Sequence, residues 1–354
     1  MHPSGKARRW LRLCFALVIT GILLLACEGA AHLLLTAREA FKRRGMREEQ
    51  HCRYDPELGW ANLPDLRQGD LFGPGVGFST NHEGMRALHE FGAETPPGRF
   101  RVACLGDSFT EGYGVADSQT YAAQLEQMAP QLETMNLGLG GYGVDQSWLW
   151  WRRERAQHRV QVLLCAWIVF DFLRMNTPRF QGEYPKPFLV AHGDQLDVTN
   201  VPVPQYWNRS SWLRPLKGTL EQLALFQVLQ KLVGLKSYAL DEQRDSSLAF
   251  EPAAQLILDD LVKDCAARGT RLLLVWLPIE RQLPITPKVR VWLEAEAARR
   301  KLPLVDLTPD FAALSTEEFR AAHLADGHYS AAGHRLVASG LLRRLRELIP
   351  ELPR

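Results

Sequence analysis

The 354-residue sequence has few features that would direct it to a nucleic acid, a metal ion or a disulfide framework. Its formal net charge is only +2 at pH 7, so electrostatics give no support for a polyanionic partner. The six cysteines form no CxxC pair and show no metal-ligand spacing. Hydrophobic residues at 46% and charged residues at 23% are typical of a globular protein. We therefore expect no nucleic-acid partner, no metal and no cofactor.

The N-terminal segment departs from this average. Basic residues in segment 1–12 precede an uncharged run over 13–27, and after Glu28 apolar character continues to residue 37. A helix of this length spans a bilayer of about 30 Å, so the sequence predicts a transmembrane anchor at 13–37. Two alternatives stay open, namely a cleaved signal peptide and a lipoprotein in which LLAC at 24–27 makes Cys27 the lipidated N-terminus. Each would place the remainder outside the cytoplasmic membrane of a bacterium.

From residue 96 to 350 the sequence alternates apolar strands with amphipathic helices. Strands are predicted at RFRVACLG (99–106), LETMNLG (132–138), RVQVLLCAWIVFDF (159–172), TRLLLVWLP (270–278) and LPLVDLT (302–308). Such alternation predicts an α/β domain with a mainly parallel sheet covered on both faces. Residues 38–95 are interpreted as a lead-in that packs on this domain. An insertion at about 176–250 breaks the alternation, and KPFLVAHGDQLDVT (186–199) predicts a hairpin within it.

A candidate nucleophile, Ser108, follows the strand predicted at 99–106. A serine hydroxyl needs a base to take its proton, and histidine oriented by a carboxylate is the natural base. Near the C-terminus the candidates are His323, His328 and His334. Only His328 has an acid two residues before it, Asp326, on a glycine-containing loop that leads into a helix. Spacing makes a Ser108–His328 pair one hypothesis among several, because most Asp-x-His triplets are ordinary loops.

Three blocks, in order along the chain, resemble the signature blocks of the SGNH (GDSL-type) hydrolase family. They are GDSFTEG at 106–112, NLGLGGYGVDQ at 136–146 and DGHYSAAGH at 326–334. The lead-in over 54–87 is similar to that of membrane-anchored bacterial members. The resemblance implies a flavodoxin-like three-layer α/β/α sandwich.

The same resemblance implies a role for each matching residue. Ser108 would be the nucleophile and His328 the base, while Asp326 would hold the imidazole tautomer and stabilise its charged form. The backbone N–H groups of Ser108 and Gly141 would face the oxyanion. Each role is carried over from the family's blocks onto the matching position of this chain.

One block departs from the family pattern. The family has an Asn-Asp pair after the third strand, and the asparagine donates to the oxyanion. Here Phe170 precedes Asp171, and Asn176 could substitute only if the loop folds back. The expected function is a serine esterase or an O-acyltransferase/deacetylase that acts on an acylated carbohydrate or lipid outside the cytoplasmic membrane. The alternative is a non-catalytic, membrane-tethered binding protein that keeps the fold.

A rival pattern lies in the second block. GLGGYG at 138–143 fits the G-x-G-x-x-G dinucleotide fingerprint between a strand and a helix. The following strand has no acidic residue before Asp171, where a ribose-binding carboxylate is expected. We therefore do not expect a nucleotide cofactor.

Overall fold

The computed structural model describes residues 5–41, 50–181, 184–204, 248–280 and 283–352. Its contacts divide these residues into an N-terminal unit, helix α1 (Gly5–Phe41), and a larger unit that holds the others. In the part of the chain that the structure describes, no helix combines the length and apolar character that a membrane crossing requires. The transmembrane anchor expected at 13–37 is therefore not found.

The larger unit contains thirteen named strands among its described residues. In chain order they are β1 (Cys52–Asp55), β2 (Gly59–Asn62), β3 (Arg67–Gln68), β4 (Phe78–Ser79), β5 (Phe100–Gly106), β6 (Leu132–Gly138), β7 (Val162–Trp167), β8 (Arg179–Phe180), β9 (Tyr184–Pro185), β10 (Phe188–His192), β11 (Gln195–Thr199), β12 (Arg271–Trp276) and β13 (Leu304–Asp306). The predicted hairpin is present as the antiparallel pair β10 and β11. The rest of the predicted insertion, 205–247, lies outside the described residues.

A five-stranded sheet forms the centre of this unit, in the order β13-β12-β7-β5-β6. All of its strand pairs are parallel. Counted along the chain, this is the 2-1-3-4-5 order of flavodoxin-like sheets. Every residue of β6 and β7 is buried, as expected for parallel strands covered on both faces. The predicted α/β class with a parallel central sheet is confirmed.

Helices connect these strands. In the larger unit they are α2 (Ser108–Glu111), α3 (Tyr121–Met128), α4 (Val144–Glu154), α5 (Val169–Leu173), α6 (Glu251–Arg268), α7 (Thr286–Arg300), α8 (Thr308–Ala312), α9 (Thr316–Ala321) and α10 (Ala331–Leu348). Helix α3 packs against α10, and α4 packs against α6. Right-handed crossovers, the rule for parallel strands, would place α3 and α4 on opposite faces of the sheet.

The carboxyl ends of β5, β6 and β7 meet at one edge of the sheet. Gly106 pairs with Gly138 at the ends of β5 and β6. A Cβ atom on Gly138 would lie 2.1 Å from the backbone nitrogen of Glu111, so only glycine lets α2 approach β6 this closely. The lead-in contacts the turn after β6, because Trp60 Nε1 donates to the carbonyl of Gly140 at 2.9 Å. This edge holds the candidate site.

Candidate active site

Ser108 stands at the junction of β5 and α2. Strand β5 ends at Gly106, and the carboxylate of Asp107 caps the helix by accepting from the N–H of Phe109 at 2.9 Å. The four-residue helix ends at Gly112, whose φ of 89° is left-handed. Ser108 is 7% exposed. The capped turn therefore holds the hydroxyl at the carboxyl edge of the sheet, where α/β folds bind ligands.

The structure brings the three sequence-predicted residues together. Oγ of Ser108 lies 2.9 Å from Nε2 of His328, although 220 positions separate the two residues in the chain. Nδ1 of His328 lies 3.2 Å from Oδ1 of Asp326, in a contact that is poorly directed for a hydrogen bond. The same carboxylate oxygen accepts from the backbone N–H of His328 at 3.1 Å. An Nδ1–H tautomer leaves Nε2 as the acceptor for the serine hydroxyl.

Two aromatic rings contact the imidazole of His328. The ring centroid of Phe109 lies 5.0 Å away and that of Tyr113 lies 4.6 Å away, each tilted by 32°. Contact with His328 lowers the pKa of the Asp326 carboxyl, so this group stays ionised well into the acid range. The imidazole thus has a carboxylate beside one ring nitrogen and aromatic rings against its faces, which together hold its orientation.

The other histidines considered from the sequence are structural. His334 is buried in α10, and its Nδ1 accepts from the backbone N–H of Tyr121 at 3.2 Å. Burial lowers the pKa of His334 to about 3. Nδ1 of His323 lies 2.7 Å from the carbonyl of Phe319 and donates to it. The rings of His334 and His323 are therefore each held by a hydrogen bond to a nearby backbone group.

Two backbone donors are available near Ser108. Within the described ranges, neither the N–H of Ser108 nor that of Gly141 donates to another residue. Gly141 has a φ of 77°, and a Cβ atom there would lie 2.6 Å from Cζ of Phe180. The preceding N–H, of Gly140, donates to a carboxylate oxygen of Glu111 at 3.1 Å. The turn after β6 is thus held from both sides, which is the preorganisation that an oxyanion site requires.

The segment after β7 carries the departure from the family pattern. Phe170 is half-buried against the core and has no polar group. Asp171 accepts from the N–H of Ile168 at 3.0 Å and caps α5. Asn176 ends the 3₁₀ turn Arg174–Asn176 that follows α5. Phe170 therefore supplies no hydrogen-bond donor at the position where the family pattern has an asparagine.

Sequence reasoning missed three residues of this edge: Glu111, Arg174 and Phe180. Glu111 lies inside the GDSFTEG block, three residues after the serine, so the block itself was a signal. Arg174 follows Asp171 by three residues, a spacing that brings side chains together on a helix. No pattern in the sequence signals that Phe180 packs on Gly141, because that contact joins strand β8 to the turn after β6.

A group with metal-ligand spacing lies elsewhere among the described residues. Glu83, Glu154 and His158 place ligand atoms within 4.8 Å of one another. Their side chains already have partners, since Nε2 of His158 lies 2.8 Å from Glu83 and Glu154 accepts from Arg153 at 3.2 Å. Each of these three side chains therefore has a polar partner in or beside the group.

No protein-family model matches the sequence, and no curated protein matches it. Solved structures similar to the chain include a member of the lipolytic protein G-D-S-L family from Veillonella parvula DSM 2008, with 14% identity and a TM-score of 0.40 over 72% of this chain and 100% of that one. The lipase/acylhydrolase from Enterococcus faecalis has 12% identity and a TM-score of 0.40 over 70% and 96%. The acetyl xylan esterase AlAXEase has 13% identity and a TM-score of 0.41 over 70% and 100%. At these values the likeness carries no argument about activity, which depends on the site geometry.

Proposed function

We propose that this protein is a serine hydrolase of ester bonds, with Ser108 as nucleophile, His328 as general base and Asp326 as the carboxylate that supports the imidazole. The observation that carries the proposal is the 2.9 Å contact between Oγ of Ser108 and Nε2 of His328, with the carboxylate of Asp326 3.2 Å from the other ring nitrogen. Serine, histidine and carboxylate in this order are the parts that nucleophilic acyl transfer needs.

The proposed reaction has two steps. Nε2 of His328 accepts the hydroxyl proton as Oγ of Ser108 attacks the ester carbonyl, and the oxyanion accepts from the N–H groups of Ser108 and Gly141. Each such donor contributes about 3 kcal/mol to the transition state. The C–O bond then breaks, the alcohol leaves with the proton from His328, and an acyl-serine forms. Water attacks the acyl-serine with His328 again as base, which releases the acid and restores Ser108.

The proposed substrate is an acylated carbohydrate or lipid outside the cytoplasmic membrane. Its support is the sequence resemblance in the three blocks together with the openness of the site. The side chain of Asp326 is 52% exposed and that of His328 is 23% exposed, so an ester group on a large molecule can reach the serine from solvent. If a sugar hydroxyl replaces water in the second step, the same acyl-enzyme performs O-acyl transfer.

A second candidate function has a specific observation in its favour. Phe170 stands where the family has a side-chain donor, and a chain that lacks oxyanion stabilisation can keep the fold as a binding protein. The available N–H groups of Ser108 and Gly141 favour the enzyme instead, since two donors suffice for an oxyanion site.

The test is ester hydrolysis by the full-length protein. Release of p-nitrophenol from its acetate and butyrate esters is measured for wild type, Ser108→Ala and His328→Ala. Ser147→Ala is the matched control, because Ser147 is buried beside β5 but lies outside the triad. We expect the two triad variants to fall to background and the control to keep wild-type activity.

A fluorophosphonate probe completes the test, because it reports the activated serine even when water is a poor acceptor. Labelling of wild type but not of Ser108→Ala, without turnover, would assign an acyltransferase that needs its own acceptor. A folded wild type that neither turns over nor labels would overturn the proposed activity and favour the binding protein.

A further inference from the structure

A buried arginine connects the three segments that form the site edge. NH1 of Arg174 lies 2.9 Å from Oδ2 of Asp107, 2.8 Å from Oδ1 of Asp171 and 2.9 Å from the carbonyl oxygen of Tyr142. All four residues are buried. These partners come from the ends of β5, β6 and β7, so one nitrogen atom links all three.

Two of these partners, Asp107 and Tyr142, are sequence neighbours of the residues that carry the proposed oxyanion donors. Asp107 immediately precedes Ser108, and Tyr142 immediately follows Gly141. The guanidinium therefore bonds to the direct neighbour of each donor. It also lies over the ring of Phe180 at 5.4 Å, and that ring contacts Gly141.

The packing leaves no space for another side chain between these segments. A Cβ atom on Gly143 would lie 3.3 Å from Cβ of Arg174 and 3.0 Å from the carbonyl oxygen of Asp171. Because the turn after β6 rests directly on α5, a shift of Arg174 would be transmitted to the turn that carries Gly141.

The two carboxyl groups beside Arg174 lie close enough to affect each other. Burial and the charge of Asp107 raise the pKa of Asp171 well above its usual range, and the guanidinium of Arg174 opposes this shift. The contacts of the guanidinium with both carboxyl groups and with the carbonyl oxygen of Tyr142 supply the partners that polar groups at this depth require.

We propose that Arg174 is a positioning residue that sets the distance between the two oxyanion donors, the N–H groups of Ser108 and Gly141, in a chain whose Phe170 supplies no donor. This inference rests on the proposed ester hydrolysis. Preorganised donors act only when they point at the place where charge develops, and a displacement of about 1 Å can cost about 10²-fold in rate. Arg174 touches neither the substrate nor the reacting atoms in this role.

The experiment compares Arg174→Met and Arg174→Lys with wild type and with Arg101→Met. Lysine keeps the buried positive charge, so Arg174→Lys should stay folded. Methionine removes that charge and leaves Asp107 and Asp171 without their cationic partner, so Arg174→Met should be less stable. Arg101 is the matched control, because it is also buried and donates to Glu133 at 2.6 Å and to the carbonyl of Gly92 at 2.7 Å, at the opposite end of β5 from the serine. Its variant loses a buried arginine without touching the site edge.

For folded Arg174→Lys we expect kcat on p-nitrophenyl acetate to fall about 10²-fold, with KM within about twofold of wild type. The rate of phosphonate labelling at Ser108 should fall in parallel, because that adduct also places an oxygen on the two donors. Arg101→Met should unfold at lower temperature and keep the wild-type kcat.

A wild-type kcat in folded Arg174→Lys would overturn the inference, and so would an equal loss of kcat in folded Arg101→Met. Either result leaves the proposed hydrolase intact, since wild type and Ser108→Ala still differ. A wild type that neither turns over nor labels removes the proposed function and the role of Arg174 with it.

Discussion

The ring of Tyr113 lies 4.6 Å from the imidazole of His328, with 32° between the two planes. An aromatic face close to an imidazole stabilises the imidazolium that forms when the serine is deprotonated. The same contact limits rotation of the ring, so Tyr113 supports the base in orientation as well as in charge.

We expect Tyr113→Leu to lower kcat/KM for p-nitrophenyl acetate about fivefold, which corresponds to the loss of about 1 kcal/mol of cation–π stabilisation. Tyr113→Phe keeps the aromatic face and should retain most of the activity. Equal kcat/KM in Tyr113→Leu and wild type would show that the contact is packing only.

Asp326→Asn should lower kcat/KM about 10²-fold, because the amide cannot stabilise the charged imidazole. Asp310→Asn, which breaks a surface pair with Arg343, serves as the control and should leave the kinetics unchanged. An Asp326→Asn variant as fast as wild type would remove this carboxylate from the mechanism.

The contact with His328 also lowers the pKa of Asp326 below its usual value of 3.8. A carboxyl with a lowered pKa contributes stability above its unfolded pKa and loses it as the pH falls through the folded one. Ionisation of Asp326 therefore persists at pH 5, and the stability that wild type has over Asp326→Asn, measured by urea unfolding, should decline only as the pH falls below about 4.

Stability should fall in mild acid because of His51. Burial, aided by the charge of Arg86, lowers the pKa of His51 from 6.5 to about 4. Between these two values the unfolded chain binds a proton that the folded chain does not, so the free energy of unfolding drops as the pH falls. His51 should account for about 2 kcal/mol of the loss between pH 7 and pH 5.

Urea unfolding of wild type and His51→Leu at both pH values measures this contribution, and the variant should lose less stability on acidification. His82 is the control, because its pKa is raised by the hydrogen bond to Asp65 and its contribution has the opposite sign. An unchanged acid loss in His51→Leu would contradict the prediction.

Gly141→Ala should lower kcat about 10²-fold with little change in KM, since the new Cβ atom would meet Cζ of Phe180 at 2.6 Å and displace a donor. Gly98→Ala is the control variant, because it introduces similar backbone strain without a clash. Gly98 has a similar φ of 75°, but nothing lies within 4 Å of the added atom. Equal kinetics in the two alanine variants would exclude Gly141 from the oxyanion site.

Much of the fold follows from local patterns. The apolar runs predict β5, β6, β7, β12 and β13. The run at 159–172 is predicted as one strand, but it divides into β7 and helix α5, where Asp171 accepts from the N–H of Ile168. Helix α6 has a proline in its first turn and is followed by a glycine, which are ordinary start and stop signals. The turn HGDQ predicts the hairpin of β10 and β11, where Gly193 adopts a φ of 64°. The transmembrane span is the exception. The apolar run at 13–37 predicts a membrane-spanning helix, but no helix among the described residues is long and apolar enough to cross a membrane.

The sequence by itself determined which residues are chemically able to act: a serine after a buried strand, and three histidines near the C-terminus. Only the tertiary structure decided that His328 meets Ser108 while His334 turns to the backbone of Tyr121. It also placed Arg174 against the neighbours of both oxyanion donors. Strand and helix periodicity act over a few residues, whereas these contacts join segments whose proximity arises from the order of strands in the sheet.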